Sequence, residues 1–140
     1  MSNYRKGSHT KCDLQYHIVW ITKYRRKVLT GNLKERLQMI LLQVCEQNNI
    51  IILKGKVMED HVHLMVSCTP KISVSKIIQL MKGRTSKMLQ DEFPNIKKKY
   101  WGQHIWGTGY FVRTVGAVTE EMIRNYVESQ NDEVHEIFGD

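Results

Sequence analysis

A chain of 140 residues has room for one ordinary domain. Apolar residues at 41% and charged residues at 25% are globular values, which exclude wholesale disorder, and no apolar run is long enough for a membrane span. Lys and Arg number 21 against 14 Asp and Glu, a formal net charge of +7, which points to a polyanionic partner such as nucleic acid or an acidic membrane surface.

The first six residues, Met1 to Lys6, hold no apolar signal core, so a cytoplasmic protein is expected. Leu14, Tyr16, Ile18 and Trp20 alternate with Gln15, His17 and Val19, which is the period of a strand. Basic residues then cluster at Lys23, Arg25, Arg26 and Lys27 around Tyr24. From Leu33 the apolar positions Leu37, Ile40, Leu41, Val44 and Cys45 take helical spacing, with Thr30 or Asn32 as cap and Asn48-Asn49 as stop. Ile50 to Leu53 starts a second strand, and Glu59-Asp60 turns the chain into a third, His61 to Ser67, paired back on the second. Ser73 caps a second helix through Val74, Ile77, Ile78, Met81 and Leu89, which also carries Lys82, Arg84 and Lys87. After Pro94 the run Lys97-Lys98-Lys99 reads equally as a solvated loop and as a nucleic-acid contact, and Trp106 to Val112 reads as a fourth strand. Thr119 caps a last helix, with Glu120 and Glu121 in its first turn where the dipole favours them.

The order β-α-β-β-α-β-α, without linker or repeat, describes one α+β domain over 1–140. The expected architecture is a split βαβ, ferredoxin-like or RRM-like antiparallel sheet with helices on one face. Cys12, Cys45 and Cys68 lack CxxC spacing and are read as reduced thiols rather than a disulfide framework or a zinc site.

His61 and His63 stand two apart on a strand, so both imidazoles leave the same face and can clamp one metal ion. The plain alternative is a pair of strand histidines without a ligand. Asp60 is placed to accept an imidazole N–H. On the last helix Tyr126 and Gln130 are four apart and share a face; alone, they read as a core tyrosine and a solvated glutamine. Together the four residues describe phosphoryl chemistry. A phenol with a pKa near ~10 is a poor nucleophile at neutral pH. A divalent ion on a phosphate neutralises charge and polarises phosphorus. Two imidazoles and an amide oxygen suit Mg²⁺ or Mn²⁺ better than a closed structural zinc site.

These residues carry a resemblance. His61-Val62-His63 resembles the His-hydrophobe-His (HUH) motif, and Asn125 to Gln130 resembles the single-tyrosine helix of the insertion-sequence 200/605 transposases, which act on single-stranded DNA. Tyr16 to Arg25 and Trp106 to Phe111 look like the same family's other signatures, so the likeness runs from about Tyr16 to Gln130. It implies that Tyr126 attacks a phosphodiester to leave a 5′-phosphotyrosine and a free 3′-hydroxyl, with His61, His63 and Gln130 as metal ligands. It also implies a homodimer on DNA hairpin ends, in which the tyrosine helix of one subunit can complete the partner's site; the residues themselves permit that exchange, since the helix follows Gly116 and can swing on it. Lys23, Arg25, Arg26, Lys82, Arg84 and Lys87 then become candidate phosphate contacts. Tyr24 and Trp101 become candidate platforms for unpaired bases, whereas Trp106, inside a strand, is expected in the core.

Three alternatives remain. A noncatalytic RRM-like binder would share the element order, but the Lys/Arg-Gly-aromatic-Gly/Ala-aromatic strand of those modules is absent. A metal-dependent phosphoesterase using water would keep the histidines and not need Tyr126. A host-domesticated nuclease of the same class would differ only in its DNA target.

Overall fold

A computed structural model of the chain describes residues 5–6, 11–12, 14–115 and 120–130. Two short strands, β1 (Arg5–Lys6) and β2 (Lys11–Cys12), pair with each other. The main sheet has four antiparallel strands, β3 (Leu14–Ile21), β4 (Ile51–Val57), β5 (His61–Cys68) and β6 (Phe111–Thr114), in the order β4-β5-β3-β6. Helices α1 (Gly31–Gln47), α2 (Val74–Glu92), α3 (Pro94–Lys99) and α4 (Glu120–Gln130) complete the domain. The fold is the expected α+β class, with the split βαβ order intact.

Local chemistry accounts for the boundaries. Thr30, in extended backbone, precedes α1, whose buried Leu33, Leu37, Ile40, Leu41 and Val44 follow the apolar stripe. The helix ends in a Schellman motif: Asn49 N–H donates to the Glu46 carbonyl at 3.3 Å and Ile50 N–H to that of Cys45 at 2.8 Å. Asn49 sits there at φ 58°, a left-handed position that asparagine tolerates. Ser73 caps α2, its Oγ accepting from Lys76 N–H at 3.2 Å.

Alternation splits the sheet into two faces. Ile18 and Trp20 of β3 and Val62, Leu64 and Val66 of β5 join α1 and α2 in the main core, so these helices cover one face. Trp106 closes that core edge-on to Trp20, with ring centroids 5.8 Å apart, and its indole N–H donates to Thr85 Oγ1 at 2.9 Å. The core position expected for Trp106 holds. Cys45 and Cys68 are buried, the Cys45 thiol 3.7 Å from the Met81 sulfur.

The opposite face carries His17, Val19 and Ile21 from β3 alongside Met65, His63 and His61 from β5, paired in that order. Phe111 of β6 lies across from Val19. Helix α4 meets this second face: the Tyr126 ring is 4.7 Å from that of Phe111, and Val127 is fully buried without belonging to the main core.

Two elements differ from the sequence reading. The fourth strand begins at Phe111 rather than Trp106, although Trp106 makes an isolated bridge to Thr22. Gly107 N–H still donates to the Ile21 carbonyl at 2.8 Å, but Gly109 turns at φ 87° and the Lys82 ammonium takes the carbonyls of Gly107 and Gly109 at 2.9 and 3.0 Å, so the ladder does not continue through this stretch. The lysine run is not a loop; with Pro94 at its first turn it forms the end of α3. Thr119, Gly116 and the residues after Gln130 lie outside the described residues.

A candidate metal and tyrosine centre

His61 and His63 come from one strand whose hydrophobic neighbours Val62 and Leu64 point into the core, which obliges both imidazoles to face the other way. Both are buried. Asp60, immediately before the strand, anchors the first: His61 Nδ1–H donates to Asp60 Oδ1 at 2.8 Å. That bond places the proton on Nδ1 and leaves Nε2 as a bare lone pair. His61 Nε2 is buried and has no hydrogen-bond partner among the described residues. An unpartnered buried acceptor is costly in an apolar setting, and a bound cation would satisfy it, so the donor fits a metal ligand.

The other oxygen of Asp60 is also occupied. Arg25 Nε and Nη2 donate to Oδ2 at 3.0 and 2.8 Å, and Arg25 is itself buried. Burial pushes the Asp60 carboxyl up, but the bonds from His61 and Arg25 outweigh it and hold the group below the usual carboxylate range. Asp60 therefore stays ionised as a fixed acceptor for the imidazole. Arg25 reaches inward because the turn at Lys23–Arg25 is left-handed at two consecutive residues, Tyr24 at φ 62° and Arg25 at φ 54°. Thr22 braces it, its hydroxyl donating to the Arg26 carbonyl at 2.8 Å.

His63 has a different surrounding. His17 Nδ1 lies 3.2 Å from His63 Nε2, and the two rings stack with centroids 5.4 Å apart. Burial, followed by the positive influence of His17, His61, Lys54 and Lys56, lowers the His63 pKa to about 3, so the ring is neutral and able to donate a lone pair at physiological pH. Lys54 and Lys56 are contributed by the register of β4, opposite Met65 and His63.

Tyr126 stands over the same face. Phe111, Val19 and His63 occupy successive strands in line, two spacings or roughly 10 Å from end to end. Tyr126 packs on Phe111 and does not belong to the main core. Burial raises its pKa, so the phenol is protonated at neutral pH. Gln130 ends α4 one helical turn on, but its side chain falls outside what is described. No group of three or more His, Cys, Asp or Glu side chains able to hold a metal occurs among the described residues, so the histidine pair lacks a carboxylate or thiolate third ligand there.

The six basic residues divide. Arg84 and Lys87 are exposed, Lys87 with a weak 3.3 Å ion pair to Asp91. Lys23 and Arg26 lie over the Tyr24 ring at the surface, at 5.4 and 5.1 Å. Arg25 and Lys82 depart from the expected phosphate role: the first is buried on Asp60 and the second is half-buried on glycine carbonyls. His17, Lys54 and Lys56 were missed by the sequence reading. The two lysines flank Gly55 at strand period and could have been found; His17 needs the cross-strand register.

The family model described as "Transposase IS200 like" matches residues 10–130. The ISDra2 transposase TnpA of Deinococcus radiodurans is 35% identical over 128 residues, 91% of each chain. The transposase for insertion sequence element IS200 of Salmonella typhimurium is 36% identical over 133 residues, 95% of this chain and 87% of that one. A crystal structure described as a transposase of D. radiodurans R1 superposes with a TM-score of 0.82 at 33% identity, covering 90% of this chain and 97% of that one. A REP-associated tyrosine transposase bound to a REP hairpin shares the fold, with a TM-score of 0.56 at 15% identity over 91% and 69% of the two chains.

Proposed function

This chain belongs to the IS200-like transposase family, and from that premise we propose that it cleaves and rejoins single-stranded DNA at insertion-sequence ends through a 5′-phosphotyrosine on Tyr126. The observation that carries the reading is the buried, unpartnered Nε2 of His61 on the sheet face that Tyr126 covers. His61, His63 and Gln130 are the ligands of Mg²⁺ or Mn²⁺ in this reading. When bound, the cation would neutralise charge on the scissile phosphate and polarise phosphorus.

The chain's own residues do the rest. Asp60 and Arg25 hold the His61 ring in one tautomer and orientation. Lys54 and Lys56 add positive charge to the face where the phosphate enters. Tyr126 Oη forms a bond to phosphorus as the P–O3′ bond breaks, and the phenolic proton ends on O3′, leaving a free 3′-hydroxyl. Attack by a 3′-hydroxyl on the phosphotyrosine reverses these changes, so rejoining needs no external energy. Lys23, Arg26, Arg84 and Lys87 are the phosphate contacts retained from the basic set. The hairpin carried by the REP-associated relative supports hairpin ends as the substrate. A homodimer is the proposed assembly, and in-trans use of α4 requires Tyr126 to leave Phe111 of its own sheet.

Incubation of a single-stranded oligonucleotide with protein and Mg²⁺, resolved on a denaturing gel, tests the reading. Wild type should shift one fragment by the protein's mass, whereas Tyr126→Phe should bind DNA and give no adduct. Free fragments alone would indicate water as the nucleophile. An adduct that persists in Tyr126→Phe would remove the tyrosine from its role.

A further inference from the structure

We propose that Tyr24 and Trp101 form a stacking site for one unpaired base of the strand that enters the metal and tyrosine centre; this rests on the DNA-cleaving function proposed above.

Both rings are offered to solvent. Tyr24 is 64% and Trp101 72% exposed, while the other two tryptophans, Trp20 and Trp106, are buried. They come from separate stretches of chain, the turn after β3 and the end of α3, joined by one cation. The Arg26 guanidinium lies 5.1 Å from the Tyr24 ring, 5.5 Å from Trp101 and 5.0 Å from the buried Tyr100, and it donates to the Lys99 carbonyl. With Arg26 against one side of each ring, exposure of this size comes from the remaining faces and edges.

The backbone is strained beneath both rings, and at Trp101 no buried contact offsets it. Tyr24 and Trp101 both sit at positive φ, 62° and 53°, a region bulky side chains avoid. Trp101 occupies the left-handed C′ position of a Schellman motif: its N–H donates to the Lys98 carbonyl at 3.1 Å, and that of Gly102 to Lys97 at 2.8 Å. Glycine suits this position best, and α1 fills the equivalent place with Asn49. A strained tryptophan that packs into no core is explained by something it meets from outside.

The occupant follows from the chemistry. The surround is cationic, with exposed Lys27, Lys97, Lys98 and Lys99 and the Lys23 ammonium 5.4 Å over Tyr24. An aromatic face beside a guanidinium stacks any nucleobase, and the lysines meet the flanking phosphates. A paired base hides its faces in the duplex, so the site selects an unpaired one. Tyr24 precedes Arg25, whose guanidinium holds Asp60 and through it His61. Tyr24 is thereby tied through Arg25 and Asp60 to the histidine centre, and the base it stacks is assigned to the strand that enters there.

Trp101 is the one solvent-exposed tryptophan, so its fluorescence reports the site directly. A single-stranded oligonucleotide should quench it in wild type and equally in Tyr126→Phe, and the annealed duplex should not. Trp101→Gly should weaken single-strand binding by about 5–150-fold, the range for loss of one stacked base. It should leave duplex binding and thermal stability no lower than wild type, because glycine relieves the left-handed strain. Trp101→Phe should retain single-strand affinity. Unchanged single-strand affinity in Trp101→Gly, or equal losses for single strand and duplex, would overturn the stacking site. Failure of wild type to form the adduct would overturn the cleavage reading, and leaves the quenching result to be judged separately.

Discussion

Asp60 is the residue on which the centre turns, because one carboxylate binds His61 through one oxygen and Arg25 through the other. Asp60→Asn weakens both partners at once. Mn²⁺ affinity, followed by titration calorimetry, should fall by about 10–100-fold, the usual cost of losing a carboxylate behind a ligating histidine. Tyr126 gives a second measurement. Its phenol pKa is raised by burial, as is that of Tyr100, so absorbance titration should show two tyrosines ionising above the ordinary value near ~10 in the folded protein and one fewer in Tyr126→Phe. The sign follows from linkage: the neutral phenol is favoured by the fold, so its contribution to stability is complete below the unfolded pKa and is lost as pH rises through the folded one. The histidine pair and Tyr126 were legible because fixed spacings on a strand and a helix set them. Arg25 was not, since nothing in a basic run reveals a left-handed turn that sends one of its members inward.

Elements with a clean apolar period and a conventional cap were readable from the sequence. Helix α2 is an example, with Ser73 in place and Ile77, Ile78, Met81 and Leu89 buried as spaced. Ser73→Ala should cost about 1 kcal/mol, seen as a lower thermal midpoint without change in helical signal, as expected for the loss of one cap. Elements decided by distant partners were not readable. The stretch from Trp106 to Tyr110 has the composition of a strand, but Lys82 draws its carbonyls away from the ladder. Pro94 reads as a breaker and instead opens α3, because a proline in the first turn gives up no intrahelical bond. Two consecutive left-handed residues at Tyr24 and Arg25 cost about 1–3 kcal/mol each, a strain offset by the buried contact of Arg25 with Asp60.

Across the whole molecule, α1 and α2 with one side of the sheet form the apolar core, while the other side holds the histidines under α4. Fold class and element order were legible because they depend on the first side, whose hydrophobic pattern is continuous. Docking of α4 was not, since Phe111 and Tyr126 each have innocent readings until the register sets β6 beside β3. Truncation after Val115 should leave a cooperative thermal transition at lower temperature, with new binding of a hydrophobic dye where Val19 and Phe111 lose their cover. Loss of the transition altogether would mean that α4 belongs to the folding unit. This two-sided plan bears on how such a protein can diversify. Exposed positions such as Arg84 and Lys87 can change without touching either the apolar core or the histidine face, so a new DNA target can be acquired while both the scaffold and the reaction are kept.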